Sequence, residues 1–196
     1  AGATVNTVIV ENAVTAQVGD LADLIGLAAT SMPSISGVSQ AGIAIPNRAE
    51  RRRGVAVYAG GDFKLYMGAA SGALAIGTAS VTGVVSTAVV QNRIRAQVGN
   101  GVRINASSAG GASAAEGAFT QAEGSGDAQE ASVDAEGETQ LYHFAGGLNI
   151  GNAAGVGATV VVQVLKNSVQ AGIGDDGVAF ASGDVRVAAQ SRAQVA

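Results

Sequence analysis

One pattern occurs three times in the chain, and it limits the fold more than any other feature. Each copy has an apolar run, a polar residue followed by Asn, an alternating stretch and a final Gly-Asp or Gly-Asn. The copies span residues 7–20, 87–100 and 162–175, and their shared asparagines are Asn12, Asn92 and Asn167. Common solenoid repeats span only about 20–50 residues. We therefore expect each long period to hold several smaller coils. About eight coils stacked ~4.8 Å apart would make a rod of roughly 40 Å.

The segments between these copies also recur. Residues 65–69 and 74–77 precede the second copy, and the similar residues 141–147 and 148–151 precede the third. Residues 54–62 are echoed by residues 177–184. Repetition is thus the dominant feature of the whole chain.

The residues within each unit alternate in the way that strands do. Apolar residues, many of them β-branched, alternate with mostly polar residues over residues 93–98, 102–105 and 185–190, and this period of two indicates strands. Gly-Asp, Gly-Asn and Gly-Gly pairs tolerate the backbone angles that corners require. The sequence predicts an all-β fold: a parallel β-helix (β-solenoid) built from degenerate repeats of about 75–80 residues, forming one repetitive segment over residues 1–196.

Two segments depart from the regular pattern. Residues 21–49 carry both prolines, Pro33 and Pro46, and we interpret them as an excursion from the solenoid that could begin with a short helix over residues 20–29. Residues 107–140 are acidic and rich in Ala, Ser and Gly. They could be disordered, but their weak alternation favours ordered coils. No cap is evident at either end, so we expect a fragment of a longer chain or one unit of a fibre that associates end to end.

Composition excludes several classes of protein. The 196 residues include no Cys, which argues against a zinc finger, a disulfide scaffold and a thiol enzyme. A pI near 4.9 argues against a nucleic-acid partner. Residues 65–92 and 139–165 carry no Asp, Glu, Lys or Arg, so a Gly/Ala-rich membrane-inserting or pore-forming protein is the alternative. Polar residues interrupt both runs, and buried strands explain them without a membrane.

Few residues suggest chemistry. His143 is the only histidine and lies in an apolar run, where a packed side chain is more typical than a catalytic base. Asp175 and Asp176 follow a glycine and are weak candidates for a calcium site, although the equivalent Gly-Asp and Gly-Asn pairs favour turn chemistry. No other cofactor is indicated. A carbohydrate-active β-helix enzyme is a third interpretation, because such enzymes need clustered acids and bases in a groove.

A basic cluster and an acidic tract form the candidate interaction site. Opposite charges in one repeating object make self-association through them plausible, and a solvated loop is the simpler interpretation. The basic residues are Arg48, Arg51, Arg52 and Arg53, and the acids are Glu116, Glu123, Asp127, Glu130, Asp134, Glu136 and Glu138.

The wording of residues 157–191, GATVVVQVLKNSVQAGIGDDGVAFASGDVRVAAQS, resembles the repeats of filamentous-haemagglutinin-like and autotransporter-type bacterial surface adhesins. The resemblance covers most of the chain apart from residues 21–49. It implies an extracellular, elongated β-helix on the bacterial cell surface, with a role in adhesion, biofilm or as a stalk. The resemblance supports the architecture better than any receptor, and it offers no catalytic residues to carry over. A host or matrix glycan is a candidate partner.

Overall fold

The structure, a computed structural model, describes residues 1–24, 29–31, 51–75, 79–105, 129–151, 154–181 and 185–196. Every regular element in this part of the chain is a β-strand, and no helix occurs there. The alternation of β-branched and polar residues therefore gives strands, and the predicted all-β parallel β-solenoid is confirmed.

The strands form three stacked coils, each with a long strand, a two-residue strand and a second long strand. The first coil has β1 (Gly2–Val18), β2 (Asp23–Leu24) and β4 (Arg51–Ala75), and a short strand, β3 (Ala29–Ser31), precedes β4. The second has β5 (Ser80–Val98), β6 (Arg103–Ile104) and β7 (Gln129–Gly151). The third has β8 (Gly155–Ile173), β9 (Val178–Ala179) and β10 (Val185–Val195).

Equivalent strands of successive coils pair in parallel and in register. The three sheets have the orders β1-β5-β8, β2-β6-β9 and β10-β7-β4-β3, and they do not close on one another. Asn12 lies opposite Asn92, and Asn92 lies opposite Asn167. Each long repeat is thus one coil, and the expectation of several smaller coils per repeat was wrong. The strands of 17–25 residues are far longer than the short strands that eight coils would need.

The register confirms some of the sequence alignments and corrects others. Leu65 lies opposite Leu141 and Tyr66 opposite Tyr142, as the recurring segments predicted. The echo between residues 54–62 and 177–184 is not structural, because Val178 pairs with Arg103, whereas Val55 pairs with Ala131, the partner of Val185. Alternating β sequences match equally well at several offsets, and only the pairing of strands selects one.

Most of each irregular segment falls at the same point of its coil, between the two-residue strand and the second long strand. Strands β2, β6 and β9 lie just before this point. After it, the coils are again in register at the equivalent positions Val55, Ala131 and Val185. Only five residues separate Ala179 from Val185 in the third coil, whereas 26 separate Leu24 from Arg51 in the first and 24 separate Ile104 from Gln129 in the second. Asp23 and Leu24 form β2 instead of the predicted helix; Pro33, Pro46 and the rest of the acidic tract before Gln129 lie outside the described residues. From Gln129 onward, the tract forms β7, as the ordered interpretation predicted.

The core lies between the sheet β1-β5-β8 and the sheet that contains β4, β7 and β10, and a layer of asparagine divides it. One apolar cluster surrounds Ile94 and Val133, and a second contains Met67, Val90 and Leu141. Asn92 is buried between Val90 and Ile94 on the inward face of β5. Small residues such as Ala88, Ala96 and Ala135 are fully buried and let the two sheets approach closely.

The charge-free runs form strands. Residues 65–75 belong to β4 and residues 80–92 to β5, while residues 139–151 and 155–165 belong to β7 and β8. No helix in the described part of the chain is long and apolar enough to cross a membrane.

Candidate functional site

The corner after each long strand of the first sheet repeats the same hydrogen bonds at both coil steps. The backbone N–H of Asn100 donates to Asp20 Oδ1 at 2.7 Å, and the N–H of Asp175 donates to Asn100 Oδ1 at 2.9 Å. Two backbone bonds flank each of them: Gly99 N–H donates to Val18 O, and Leu21 N–H donates to Asn100 O. We name the segments 19–21, 99–101 and 174–176 the Gly-Asx corners.

The third residue of each Gly-Asx corner adopts a left-handed backbone. The φ angles are 57° at Leu21, 61° at Gly101 and 56° at Asp176. The same conformation therefore recurs in all three coils, although only one of these residues is glycine. Asp175 and Asp176 therefore lie in a turn. Within the described residues, no group of three metal-binding side chains is placed to hold a metal ion.

A polar ladder runs through the interior at the asparagine layer. Asn12 Nδ2 donates to Asn92 Oδ1 (3.1 Å), and Asn92 Nδ2 donates to Thr139 Oγ1 (3.0 Å). Thr139 Oγ1 then donates to Asn167 Oδ1 (2.9 Å), and Asn167 Nδ2 donates to Ser191 Oγ (3.3 Å). The ladder joins all three coils and both long sheets, and it pairs the polar groups of Asn92 and Thr139, which are buried and would be costly if unpaired.

The structure brings one end of the basic cluster beside one end of the acidic tract within a single chain. Arg53 of β4 lies opposite Gln129 of β7, and the next residue, Gly54, lies opposite Glu130. Arg51 and Arg52 lie opposite Ser31 and Thr30 of the antiparallel β3. The side chains of these residues, together with Arg48, Glu116, Glu123 and Asp127, lie outside the part that the structure describes.

The remaining acids of the candidate site are buried along the outer side of β7. Asp134, Glu136 and Glu138 are only 1–2% exposed. Arg186 Nε lies 3.2 Å from Asp134 Oδ1, and Tyr58 donates to Glu136 Oε2 at 3.1 Å. Glu138 Oε1 accepts a hydrogen bond from Gln140. These acids therefore serve contacts within the chain, and they offer little surface to a partner.

Sequence reasoning missed a Ser–His pair in which the serine is buried and the histidine is partly buried. His143 Nε2 lies 2.5 Å from Ser86 Oγ, and His143 takes the position of Met67 in the neighbouring coil. A serine nucleophile needs a substrate to reach it and a third group to orient the histidine. Ser86 is fully buried, and His143 Nδ1 has no hydrogen-bond partner among the described residues. The pair is thus a side-chain contact between β5 and β7 in which Ser86 is closed off from solvent.

Aromatic and aliphatic side chains are exposed on the outer side of β4 and β7. The rings of Tyr66 and Tyr142 stack with centroids 4.9 Å apart and planes 6° from parallel. Tyr66 and Phe144 are about 70% exposed, and Leu148 is also exposed. We name Tyr66, Tyr142 and Phe144 the aromatic strip. Its signal in the sequence was the repeated Leu-Tyr at residues 65–66 and 141–142.

The stack has open strand edges at both ends. On the side away from β5, no described strand pairs with β1, and β3 pairs only with Arg51–Arg53 of β4. At the other end, β8, β9 and β10 have neighbours on one side only among the described strands. Backbone N–H and C=O groups at such edges are available to another strand.

The described strands define a parallel β-solenoid. No known protein family matches the chain, and no curated protein or solved structure does so either.

Proposed function

We propose that this chain is a structural segment of an elongated extracellular rod on a bacterial surface, with an adhesive or stalk role and no catalytic activity. The observation that carries this proposal is the in-register stack of coils whose first and last strands have an edge that no described strand covers. A solenoid of this kind lengthens by adding coils, with each new coil contacting only its neighbours.

The distribution of polar groups supports a structural role. The Asn ladder, the Gly-Asx corners and the buried acids of β7 all make hydrogen bonds or ion pairs within the chain. These contacts maintain the register of the coils, because shifting a strand by one residue would turn its inward side chains outward. The location at the cell surface rests on the resemblance of residues 157–191 to adhesin repeats.

The aromatic strip favours a glycan as the adhesive partner. Exposed Tyr and Phe rings offer flat apolar faces, and the Tyr hydroxyls add hydrogen bonding at the same place. Tyr66 is 70% exposed and Phe144 74%, so a ligand can reach both rings. Tyr66→Ala and Phe144→Ala should each reduce retention of the protein on a glycan array that binds the parent chain. Leu74→Ala, which removes an exposed apolar side chain elsewhere on β4, is the control.

Two measurements test the structural role. Electron microscopy of the protein in its native assembly should show thin rods with an axial spacing near 4.8 Å. Antibodies against the chain should label intact cells of the source organism as strongly as permeabilised ones. Labelling only after permeabilisation would contradict the surface location. Particles that need detergent to remain dispersed would favour the membrane alternative, and depolymerisation of a glycan by the purified chain would favour the enzyme.

A further inference from the structure

Gly19 lacks the steric reason for glycine that its equivalents have. A Cβ atom at Gly99 would lie 2.7 Å from Asp20 N and 2.8 Å from Gly19 C, so the preceding Gly-Asx corner excludes a side chain there. A Cβ at Gly174 would lie 2.8 Å from Gly99 C and 2.9 Å from Asn100 N. At Gly19, nothing lies within 4 Å of the same position. Glycine at this position becomes necessary only when another Gly-Asx corner lies against it.

The two ends of the corner stack carry complementary hydrogen-bonding groups. In each step between coils, the Gly and Asx N–H groups of the later coil donate to the earlier coil, where the Asx side-chain oxygen accepts the second of these bonds. The third corner residue of the earlier coil donates its N–H to the Asx carbonyl of the later coil. At the first coil, no described residue accepts from the N–H groups of Gly19 and Asp20. At the last coil, the exposed Asp175 carboxylate accepts no bond from a described backbone amide.

We propose that the last coil of one copy docks on the first coil of a second copy and repeats the Gly-Asx step between them. In this arrangement, the Asp175 carboxylate of one copy accepts the backbone N–H of Asp20 in the next, and the Asp176 N–H donates to the Asp20 carbonyl. The proposal rests on the rod proposed above and specifies its junction.

The register of the junction follows from the internal steps. Residues 157–173 of one copy pair with residues 2–18 of the next, which places Asn167 beside Asn12 and extends the asparagine layer. Strand β10 pairs with residues 55–65 of β4, because Val185 and Val55 share the partner Ala131. Strand β3 covers only Arg51–Arg53 and leaves this stretch of β4 uncovered by any described strand.

Repulsion between two carboxylates should weaken this junction. Within the chain, the acidic corners at Asp20 and Asp175 are separated by the neutral Asn100. At the junction, the carboxylates of Asp175 and Asp20 become neighbours and repel each other, an effect that salt screens. Asp175→Asn removes this repulsion and keeps the acceptor oxygen that Asn100 uses.

Sedimentation velocity of the full chain over a range of concentrations tests the proposal. The parent chain should associate, and Gly19→Ala should weaken association about tenfold or more, because its methyl group meets the incoming corner. Gly83→Ala is the control, since Gly83 lies in the middle coil with nothing within 4 Å of its Cβ position. Asp175→Ala should weaken association similarly, and Asp175→Asn should associate at least as strongly as the parent. Circular dichroism and denaturant unfolding establish that each variant is folded.

Disulfide trapping tests the register itself. Val5 and Val160 are both exposed and share the partner Val85, so they are neighbours across the proposed junction. Adjacent strands bring Cα atoms within the range that a disulfide needs. A mixture of the Val5→Cys and Val160→Cys variants should form a cross-linked heterodimer. A mixture of Val5→Cys and Val164→Cys, about 13 Å out of register, should not.

Different outcomes would overturn the proposed junction and the proposed extracellular rod. A parent chain that stays monomeric at all concentrations overturns docking between copies and leaves a rod of coils from one longer polypeptide standing. Association that Gly19→Ala and Asp175→Ala do not weaken, or cross-linking through Val164→Cys, overturns the junction alone. Failure of surface labelling counts against the extracellular rod and leaves the junction standing.

Discussion

Asn12 donates a hydrogen bond from Nδ2 to Asn92 Oδ1, 80 residues later in the chain and one coil along the stack, at 3.1 Å. Because Asn92 in turn donates to Thr139, the contact joins the two long sheets as well as two coils. A buried amide that must find such partners disfavours every register except the one observed.

Removing Asn92 should destabilise the protein. Asn92→Ala leaves the Asn12 amide without its acceptor and opens space in a site that is only 2% exposed. We expect the free energy of unfolding to fall by about 1–3 kcal/mol. Urea denaturation measures this change, and Gln91→Ala, on the outward side of the same strand, is the control. Equal midpoints for the two variants would show that the ladder adds no stability.

Ile94 and Gly137 should show strong coupling. The Cδ1 atom of Ile94 lies 2.5 Å from the position that a Cβ at Gly137 would take. Gly137→Ala should therefore cost about 1–3 kcal/mol through overpacking. Ile94→Val removes Cδ1, so it should recover much of this loss in the double variant, although alone it costs about 0.5–1.5 kcal/mol. Additive effects in the double variant would contradict this packing.

The ion pair between Arg186 and Asp134 should contribute to stability because its carboxylate is buried. Asp134 is 2% exposed, and the Arg186 side chain is 29% exposed. Arg186→Ala should lower the free energy of unfolding by about 1–3 kcal/mol. A double-mutant cycle with Asp134→Asn isolates the pair, and its coupling energy should exceed about 0.5 kcal/mol. Arg93→Ala, on the exposed side of β5, is the control and should change stability little.

Ser86 and His143 should be replaceable together and not singly. His143→Met introduces the residue found at the equivalent position 67 but leaves the buried Ser86 hydroxyl without its partner. This single change should cost about 1–3 kcal/mol. Adding Ser86→Ala removes both polar partners, so the double variant should be close to the parent in thermal unfolding. A double variant less stable than His143→Met would indicate that Ser86 has a further role.

The sequence carried most of the information about the first sheet. The three segments aligned at Asn12, Asn92 and Asn167 are in-register neighbours in the stack. The alignment succeeded because the Asn and the Gly-Asx corner fix two points in each copy, and alternation fills the distance between them. The candidate interaction site was harder to predict from the sequence. Asp134, Glu136 and Glu138 look like a solvated acidic tract in the sequence, and only the structure shows that they are buried side chains of β7.

Gly19 also shows the difference between what the sequence predicts and what only the structure reveals. A glycine before an acid predicts a turn in any chain. Only the structure shows that Gly99 and Gly174 are excluded from having a side chain by the preceding corner, and that Gly19 is not.

The sequence by itself determined strand content, corner positions and the repeat, because these depend on alternation and on glycine, which act over a few residues. Tertiary structure decided how many coils a repeat makes, which faces are buried and which edges stay open. Those properties depend on pairing between residues about 80 positions apart. Local patterns allow many such pairings, and close packing with buried polar groups selects one.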